Sequence, residues 1–115
     1  AGRGADILLG NAGNDALSGG DGADRLTGGR GNDRLTGGDD ADIFVFSASH
    51  RGWDRITDFN AAEDTLHFHG LAGGYEELSF HTREGGTFLH WGARGAGLFL
   101  EGVDAAALTE DVFLF

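Results

Sequence analysis

Large apolar side chains recur every nine residues along the first part of the chain, and polar or small residues mostly flank them. Leu26, between Arg25 and Thr27, shows the pattern of a short strand that buries one side chain. Glycines precede these positions and can adopt the positive φ of a tight turn. The pattern therefore predicts short strands joined by turns. The recurring apolar positions are Leu8, Leu17, Leu26, Leu35 and Phe44.

Stacking of these strands is required, because one repeat cannot bury an apolar face by itself. Two nine-residue blocks make one coil of 18 residues, so alternate blocks stack on the same side. We therefore expect two facing sheets. Leu8, Leu26 and Phe44 are expected in one sheet, and Leu17 and Leu35 in the other.

The composition changes near residue 43, where the repeats end. Residues 1–42 contain 12 of the 22 glycines and no aromatic residue, whereas all twelve aromatic residues lie from Phe44 onward. The later part predicts short strands, mainly antiparallel, that cap the open end of the coil and cover its sheet edge. Strands are predicted at 43–46, 54–59, 65–69, 77–81, 87–91, 98–101 and 112–115, and one helical turn at 104–108.

One aspartate stands two residues before each recurring apolar position, at Asp6, Asp15, Asp24, Asp33 and Asp42. Alternate blocks place the first, third and fifth of these in one column and the other two in a second column. Crowded carboxylates repel each other unless a cation neutralises them. Calcium accepts carboxylate and carbonyl oxygens, and the repeats hold no Cys or His for a transition metal. The pattern predicts a ladder of calcium sites.

The overall composition narrows the possible partners. With 19 acidic and 8 basic residues, the net charge of −11 argues against nucleic acid or an anionic membrane as partner. No Cys is present to form a disulfide, no apolar run approaches membrane-spanning length, and no secretory signal stands at the N-terminus. Because Ala1 already stands in register within a repeat and there is no Met, we interpret the chain as the C-terminal piece of a longer protein.

The repeats match a known nonapeptide, G-G-x-G-x-D-x-U-x, in which U is a large apolar residue. The blocks GGDGADRLT at 19–27 and GGRGNDRLT at 28–36 follow it closely. The chain resembles the calcium-binding C-terminal region of secreted RTX proteins, such as serralysin-like proteins and alginate-epimerase R-modules. This resemblance implies an all-β fold. Residues 1–45 would form a parallel β-roll, and residues 46–115 would cap it within one structural unit.

The resemblance also implies about three or more calcium ions, each bound between two turns on the same side by backbone carbonyls and two aspartates. The first site would use Gly2, Gly4 and Asp6 with Gly19, Asp21 and Asp24. The second would use Asn11, Gly13 and Asp15 with Gly28, Arg30 and Asp33. The third would use Gly20, Gly22 and Asp24 with Gly37, Asp39 and Asp42. Of these residues, Asp21, Arg30 and Asp39 would contribute their backbone carbonyls only.

Two residues depart from the family's repeat. Asn11 replaces a glycine, with little harm because asparagine tolerates positive φ. Asp40 replaces the fourth-position glycine of the last block, which puts an outward-facing site there in doubt. After the roll, the segment WDRITDFNAAEDTLHF at 53–68 resembles the family's D-x-I-x-D-F stretch. Asp54, Asp58 and Asp64 there are candidates for one further ion, with Asp58 favoured; turn capping by Asp58 and Asp64 is the alternative.

The chain ends in an acidic residue followed by apolar ones, at 111–115. This ending is similar to the uncleaved export signal of type I secreted relatives, and it can also form an ordinary final strand. The resemblance implies a bacterial, extracellular protein that the type I secretion machinery exports unfolded and that folds when it meets calcium.

The leading hypothesis is a non-catalytic calcium-binding module of a larger secreted protein, since the chain has no H-E-x-x-H, G-x-S-x-G or Walker sequence. The alternative is a module that binds a polysaccharide or another surface, which for a polyanion requires several arginines on one face. An enzyme in its own right is a third hypothesis. The arginines in question are Arg25, Arg30, Arg34 and Arg55.

Two weaker signals remain in the capping region. His67 and His69 fall on one face of a predicted strand and could bind a transition metal, but two His without a third ligand are a weak signal and a solvent-facing strand is the favoured interpretation. Trp53, Tyr75 and Trp91 could stack on a sugar, but packing in the core is the favoured interpretation.

Overall fold

Short β-strands dominate the computed structural model, which describes residues 4–10, 13–29, 31–47, 52–60, 62–69, 78–91, 96–109 and 112–114. A 3-10 helix spans Ala105–Ala107. The strands are β1 (Ile7–Leu9), β2 (Ala16–Ser18), β3 (Arg25–Thr27), β4 (Arg34–Thr36), β5 (Ile43–Ser47), β6 (Trp53–Ile56), β7 (Thr65–His69), β8 (Ser79–Arg83), β9 (Gly86–Trp91), β10 (Ala96–Glu101) and β11 (Phe113–Leu114).

The strands form two sheets, and strands from alternate repeats lie side by side in each. The first sheet has the order β1-β3-β5-β7-β11, and the second has the order β2-β4-β6-β10-β9-β8. In the first sheet Leu8 pairs with Leu26 and Leu26 pairs with Phe44, all in parallel register. In the second sheet Leu17 pairs with Leu35. The predicted parallel β-roll, with its two facing rows of apolar residues, is confirmed.

Parallel stacking continues beyond the five repeats. In the second sheet β6 pairs with β4 and β10 pairs with β6. In the first sheet β7 pairs with β5 and β11 pairs with β7. Antiparallel pairing among the described strands is confined to β8, β9 and β10. The cap is therefore partly a continuation of the roll and partly an antiparallel meander, and the division at residues 45/46 stays a prediction.

One apolar core joins the repeats to the cap. Leu26, Leu35 and Phe44 are fully buried, and they belong to the same cluster as Ile56 and Leu66. The first two inward residues, Leu8 and Leu17, are only partly buried because they lie at the open end of the roll. Within the described residues, no helix has the length and apolar character needed to cross a membrane.

Most of the predicted strands are present, with shifted ends. The strand predicted at 54–59 ends at Ile56, because the chain bends at Thr57 and Asp58. The helical turn predicted at 104–108 is the 3-10 helix. The predictions at 77 and 115 lie outside the described residues.

Candidate metal centre

The turns of the roll depend on glycines with positive φ. The fourth residues of the first four blocks, Gly4, Gly13, Gly22 and Gly31, have φ between 92° and 99°. A Cβ on Gly22 would collide with the carbonyl group of Gly4 in the turn stacked on it. Asp40 takes the same position in the last block with φ of 69°, the only positive φ of a non-glycine residue in the described ranges. The turn geometry thus survives the Asp40 departure.

The repeat aspartates form the two expected columns, and hydrogen bonds link them. The backbone N–H of Asp6 donates to Asp24 Oδ1 at 2.9 Å, and that of Asp24 donates to Asp42 Oδ1 at 2.9 Å. In the other column the N–H of Asp15 donates to Asp33 Oδ1 at 2.8 Å. One oxygen of each accepting carboxylate therefore holds the preceding coil in register.

Asp54 and Asp64 extend these columns. The N–H of Asp33 donates to Asp54 Oδ1, and that of Asp42 donates to Asp64 Oδ1, both at 2.8 Å. The sequence offered a signal that we missed: each stands two residues before an inward apolar residue, as the repeat aspartates do. The spacing concealed it, since these pairs are 21 and 22 residues apart instead of 18. Because Asp54 and Asp64 lie in different columns, the three aspartates do not form one site, although Asp58 and Asp64 line the same groove.

The second carboxylate oxygen of the repeat aspartates is the feature that points to a cation. Oδ2 of Asp15, Asp24, Asp33 and Asp42 is buried and receives no hydrogen bond from the protein. An unsatisfied buried carboxylate oxygen is costly, and a bound cation removes that cost. These residues therefore fit a cation that binds oxygen.

Carbonyl oxygens lie beside these carboxylates. A Cβ built on Gly10 would lie 2.8 Å from Asp15 Oδ2 and 2.5 Å from the Gly28 carbonyl oxygen. A Cβ built on Gly19 would collide with Asp24 Oδ2 and lie 2.7 Å from the Gly37 carbonyl oxygen. In each case the carboxylate of the glycine's own block and a carbonyl oxygen of the next coil lie beside the same small space. Calcium prefers this combination of hard oxygen donors.

Burial changes the acidity of three of these groups. The pKa of Asp33 is raised from 3.8 to about 6. The main cause is desolvation by burial, and the charges of Asp54 and Asp15 act in the same direction. Desolvation likewise raises the pKa of Asp42 to about 6, with the charges of Asp64 and Asp24 adding to it. The pKa of Asp64 is also raised, again mainly by burial. At neutral pH these carboxylates ionise at a cost that a bound cation would offset.

Backbone oxygens must supply much of any coordination sphere here. Among the described residues, no three His, Cys, Asp or Glu side chains converge as a metal-binding group. The side chains of Asp21 and Asp39 are exposed, which agrees with a role through their carbonyls alone. Gly2, Asn11 and Arg30 lie outside the described residues. The three ligand sets as a whole stay predictions.

Asp58 is not a member of either column, but it lies near Asp64 and holds a turn of the last repeat. Its Oδ1 accepts the N–H of Gly37 at 2.9 Å, and its Oδ2 accepts the N–H of Gly38 at 2.7 Å. Asp58 therefore caps a turn, which was the alternative to its role as a ligand. Its role as a calcium ligand stays a prediction. It borders an open acidic groove of about 800 Å³, lined by Asp21, Gly38, Asp39, Asp40, Asp58, Asn60, Glu63 and Asp64.

Of the four arginines named above, the three that the structure describes do not gather on one face. Arg25 belongs to β3 in the first sheet, whereas Arg34 and Arg55 are paired neighbours on β4 and β6 in the second. Arg55 also pairs with Glu101 at 3.3 Å. Trp53 is 45% exposed and therefore does not pack in the core. Arg30, Tyr75 and the side chains of His69 and Trp91 lie outside what the structure describes.

A parallel β-roll with two columns of buried carboxylates defines a class of calcium-binding repeat modules, and the comparisons place the chain within it. A sequence model of the RTX calcium-binding nonapeptide repeat (4 copies) matches residues 1–26 and 18–48. The AlgE6R3 subunit of the Azotobacter vinelandii mannuronan C5-epimerase is 33% identical, with a TM-score of 0.75 over 99% of this chain and 77% of that one. The chain belongs to the RTX calcium-binding nonapeptide-repeat family.

Two further solved structures are similar. The AlgE6R2 subunit of the same epimerase is 34% identical, with a TM-score of 0.56 over 100% of this chain and 90% of that one. The extracellular lipase LipA from Serratia marcescens is 27% identical, with a TM-score of 0.64 over 97% of this chain but only 20% of the lipase. No curated protein matches the chain. The chain is therefore an RTX calcium-binding module similar to parts of an epimerase and an extracellular lipase.

Proposed function

We propose that this chain is a non-catalytic module of a larger secreted protein, which folds when calcium binds and thereby supports type I export. The observation that carries the proposal is the set of buried carboxylate oxygens without a donor in Asp15, Asp24, Asp33 and Asp42. An unfolded chain would hydrate these oxygens, whereas the folded roll leaves them facing carbonyls of the next coil.

Calcium and folding are coupled in this proposal because the sites exist only when coils are stacked. Each ligand set combines two coils, so an unfolded chain cannot present it. A ligand that binds only the folded state adds about 2.7 kcal/mol of stability per site at a hundredfold excess over its Kd. Three divalent ions would also bring six positive charges to a chain of net charge −11. Without calcium we expect an expanded chain.

The number of ions is at least three in this proposal, and the structure offers a reason for more. Asp24 belongs to both the first and the third site of one column. Asp54 and Asp64 continue the columns with the same hydrogen bond to the preceding aspartate. The pair Asp33–Asp54 is thus a candidate for a further site of the same kind, whereas Asp64 Oδ2 accepts the N–H of Asn60 at 2.8 Å and so differs from the repeat aspartates.

The export part of the proposal rests on the similarity of this chain to other proteins. One similar protein is an extracellular lipase. Val112 and Phe113 are buried against the core in the folded chain. We propose that the exporter reads the C-terminal segment while the chain is unfolded, and that the same segment then packs as the last strand outside the cell.

Far-UV circular dichroism of the chain during a calcium titration tests the folding switch. We expect a cooperative change from coil to β-structure with calcium, and no comparable change with magnesium, which dehydrates reluctantly and demands a tighter octahedral site. Analytical ultracentrifugation of the same samples should show compaction. A chain that is fully folded in chelator and insensitive to calcium would refute the coupling.

A second candidate function is polysaccharide binding, favoured by one surface of the second sheet. Arg34 and Arg55 are cross-strand neighbours there, and the exposed Trp53 lies on the same strand as Arg55 with one residue between them. Such a face can combine cation pairing with sugar stacking. Retention of the calcium-loaded chain on an alginate column tests it.

The two sheets provide a matched control for that experiment. Arg34→Ala should reduce retention, whereas Arg25→Ala, which removes an equal charge from the opposite sheet, should not. Equal loss in both variants would indicate a general charge effect, and absence of retention in the unaltered chain would remove this candidate.

A further inference from the structure

Two histidines meet on the antiparallel part of the second sheet, far from the repeats in sequence. His81 lies on β8 and His90 on β9, and the strand register places them diagonally, with His81 opposite Phe88 and Ser79 opposite His90. Diagonal neighbours on one face of a sheet are within reach of long side chains. The two Nε2 atoms are 2.8 Å apart, and the ring planes lie within 6° of parallel.

The separation of the nitrogens suits a metal ion. Two nitrogen ligands about 2.0 Å from one ion lie about 2.8 Å apart at a right angle, and about 3.3 Å apart in a tetrahedron. The observed 2.8 Å therefore matches two adjacent ligands of a square-planar or tetragonal site, the geometry of Cu²⁺ and Ni²⁺. In the metal-free protein the same distance corresponds to a hydrogen bond from one ring nitrogen to the other. Metal binding would require the donor ring to move its proton to Nδ1.

The surroundings leave room for the remaining ligands. An open cleft of about 420 Å³ adjoins the pair and is lined by Trp53, His81, Phe88 and His90. Trp53 and Phe88 make an edge-to-face contact at 5.8 Å that forms one wall. Water or a small donor molecule can thus complete the coordination. Five paired positions hold β8 and β9 in register, and six further pairs hold β9 against β10.

We propose that His81 and His90 form a binding site for a divalent late transition-metal ion. This site differs in chemistry from the calcium ladder, since imidazole nitrogen is a ligand for copper, nickel and zinc, whereas calcium takes oxygen. The chain would then carry two classes of metal site, oxygen-lined in the roll and nitrogen-based on the outer face of the cap.

Isothermal titration calorimetry of the calcium-loaded chain with Cu²⁺, Ni²⁺ and Zn²⁺ tests the proposal. Excess calcium keeps the carboxylates occupied, and all titrations are made in one weakly coordinating buffer at about pH 7.5, because metal affinity depends on pH. We expect one ion per chain, with Cu²⁺ bound most tightly. Electron paramagnetic resonance of the Cu²⁺ complex should show coupling to two nitrogen nuclei.

Single variants separate this site from other imidazoles. His81→Gln and His90→Gln should each weaken binding about tenfold or more, because half of the imidazole ligands are lost. The double variant His67→Gln with His69→Gln, on β7 of the other sheet, is the control and should bind as tightly as the unaltered chain. Binding that survives both single variants, binding lost in the control, or no binding to the unaltered chain would each overturn the proposal. Unchanged circular dichroism in calcium verifies that the variants fold.

Discussion

Acidification from about pH 7 to about pH 5 is expected to stabilise the calcium-free fold and to destabilise the calcium-loaded one. The reason is the raised pKa of two buried repeat aspartates. Asp33 and Asp42 each have a pKa of about 6 in the folded chain, compared with 3.8 for an ordinary aspartate. Between these values the folded state binds more protons than the unfolded state. Stability without calcium therefore rises as the pH falls through this window.

The magnitude follows from the two pKa values. For each group, the shift lowers folding stability by about 3 kcal/mol at pH 7 and by about half as much at pH 5. The two groups lie in different columns, so their effects should nearly add. The calcium-free fold should gain about 3 kcal/mol over this range, a large part of the roughly 5–15 kcal/mol that stabilises a typical domain.

Calcium reverses the sign, because the ion requires ionised carboxylates. If Asp33 and Asp42 bind calcium as proposed, protons compete with the ion there in saturating calcium, so acidification weakens binding and removes its contribution to stability. Circular dichroism from about pH 7.5 to about pH 4.5 measures the two slopes, as the folded fraction in calcium-free buffer and as thermal unfolding in saturating calcium. The double variant Asp33→Asn with Asp42→Asn should flatten the calcium-free slope. Slopes of the same sign in the two buffers would refute the reasoning.

Three further changes test the ladder and the core. Asp24→Ala should raise the calcium midpoint for folding more than Asp6→Ala, because Asp24 would belong to two of the proposed sites and also accepts the N–H of Asp6. Gly28→Ala should weaken calcium binding measured by calorimetry, because the new Cβ would lie 2.6 Å from Asp33 Oδ2. Leu35→Ala should lower the free energy of unfolding in calcium by about 2–5 kcal/mol in urea titrations, since Leu35 is fully buried.

Each of these changes has an outcome that would count against it. Equal midpoint shifts for the two aspartate variants would contradict sharing of Asp24 between sites. Unchanged calorimetry in the glycine variant would place the ion elsewhere. For the core, Leu9→Ala is the matched control, because Leu9 is 62% exposed and its truncation should change stability little; a similar loss in both leucine variants would contradict the assignment of inward positions.

The nine-residue period was sufficient to predict the roll. Each block repeats the same turn and strand, so stacking at a spacing of 18 residues follows without knowledge of distant contacts. This is why Leu8, Leu26 and Phe44 were expected in one sheet and are found there. The two aspartate columns follow from the same argument.

Where the period ends, the sequence no longer determined the register. Asp54 and Asp64 join the columns only because longer connections of three and four extra residues bring their strands back onto the roll. When a connection differs in length from the repeat, the sequence does not show which residues pair. The register is known only from the pairing with the preceding strand. The bend that ends β6 at Ile56 is likewise a tertiary effect, since Asp58 turns to accept two N–H groups of the last repeat.

The histidine pair shows the same limit most clearly. His81 and His90 are nine residues apart, but they meet because of the antiparallel register of β8 and β9 and not because of any repeat. Local periodicity determined the roll, its apolar rows and its carboxylate columns, because each repeated unit carries its own turn. The joining of the cap to the roll and the meeting of side chains across strands depend on pairing between distant segments, which no local pattern specifies.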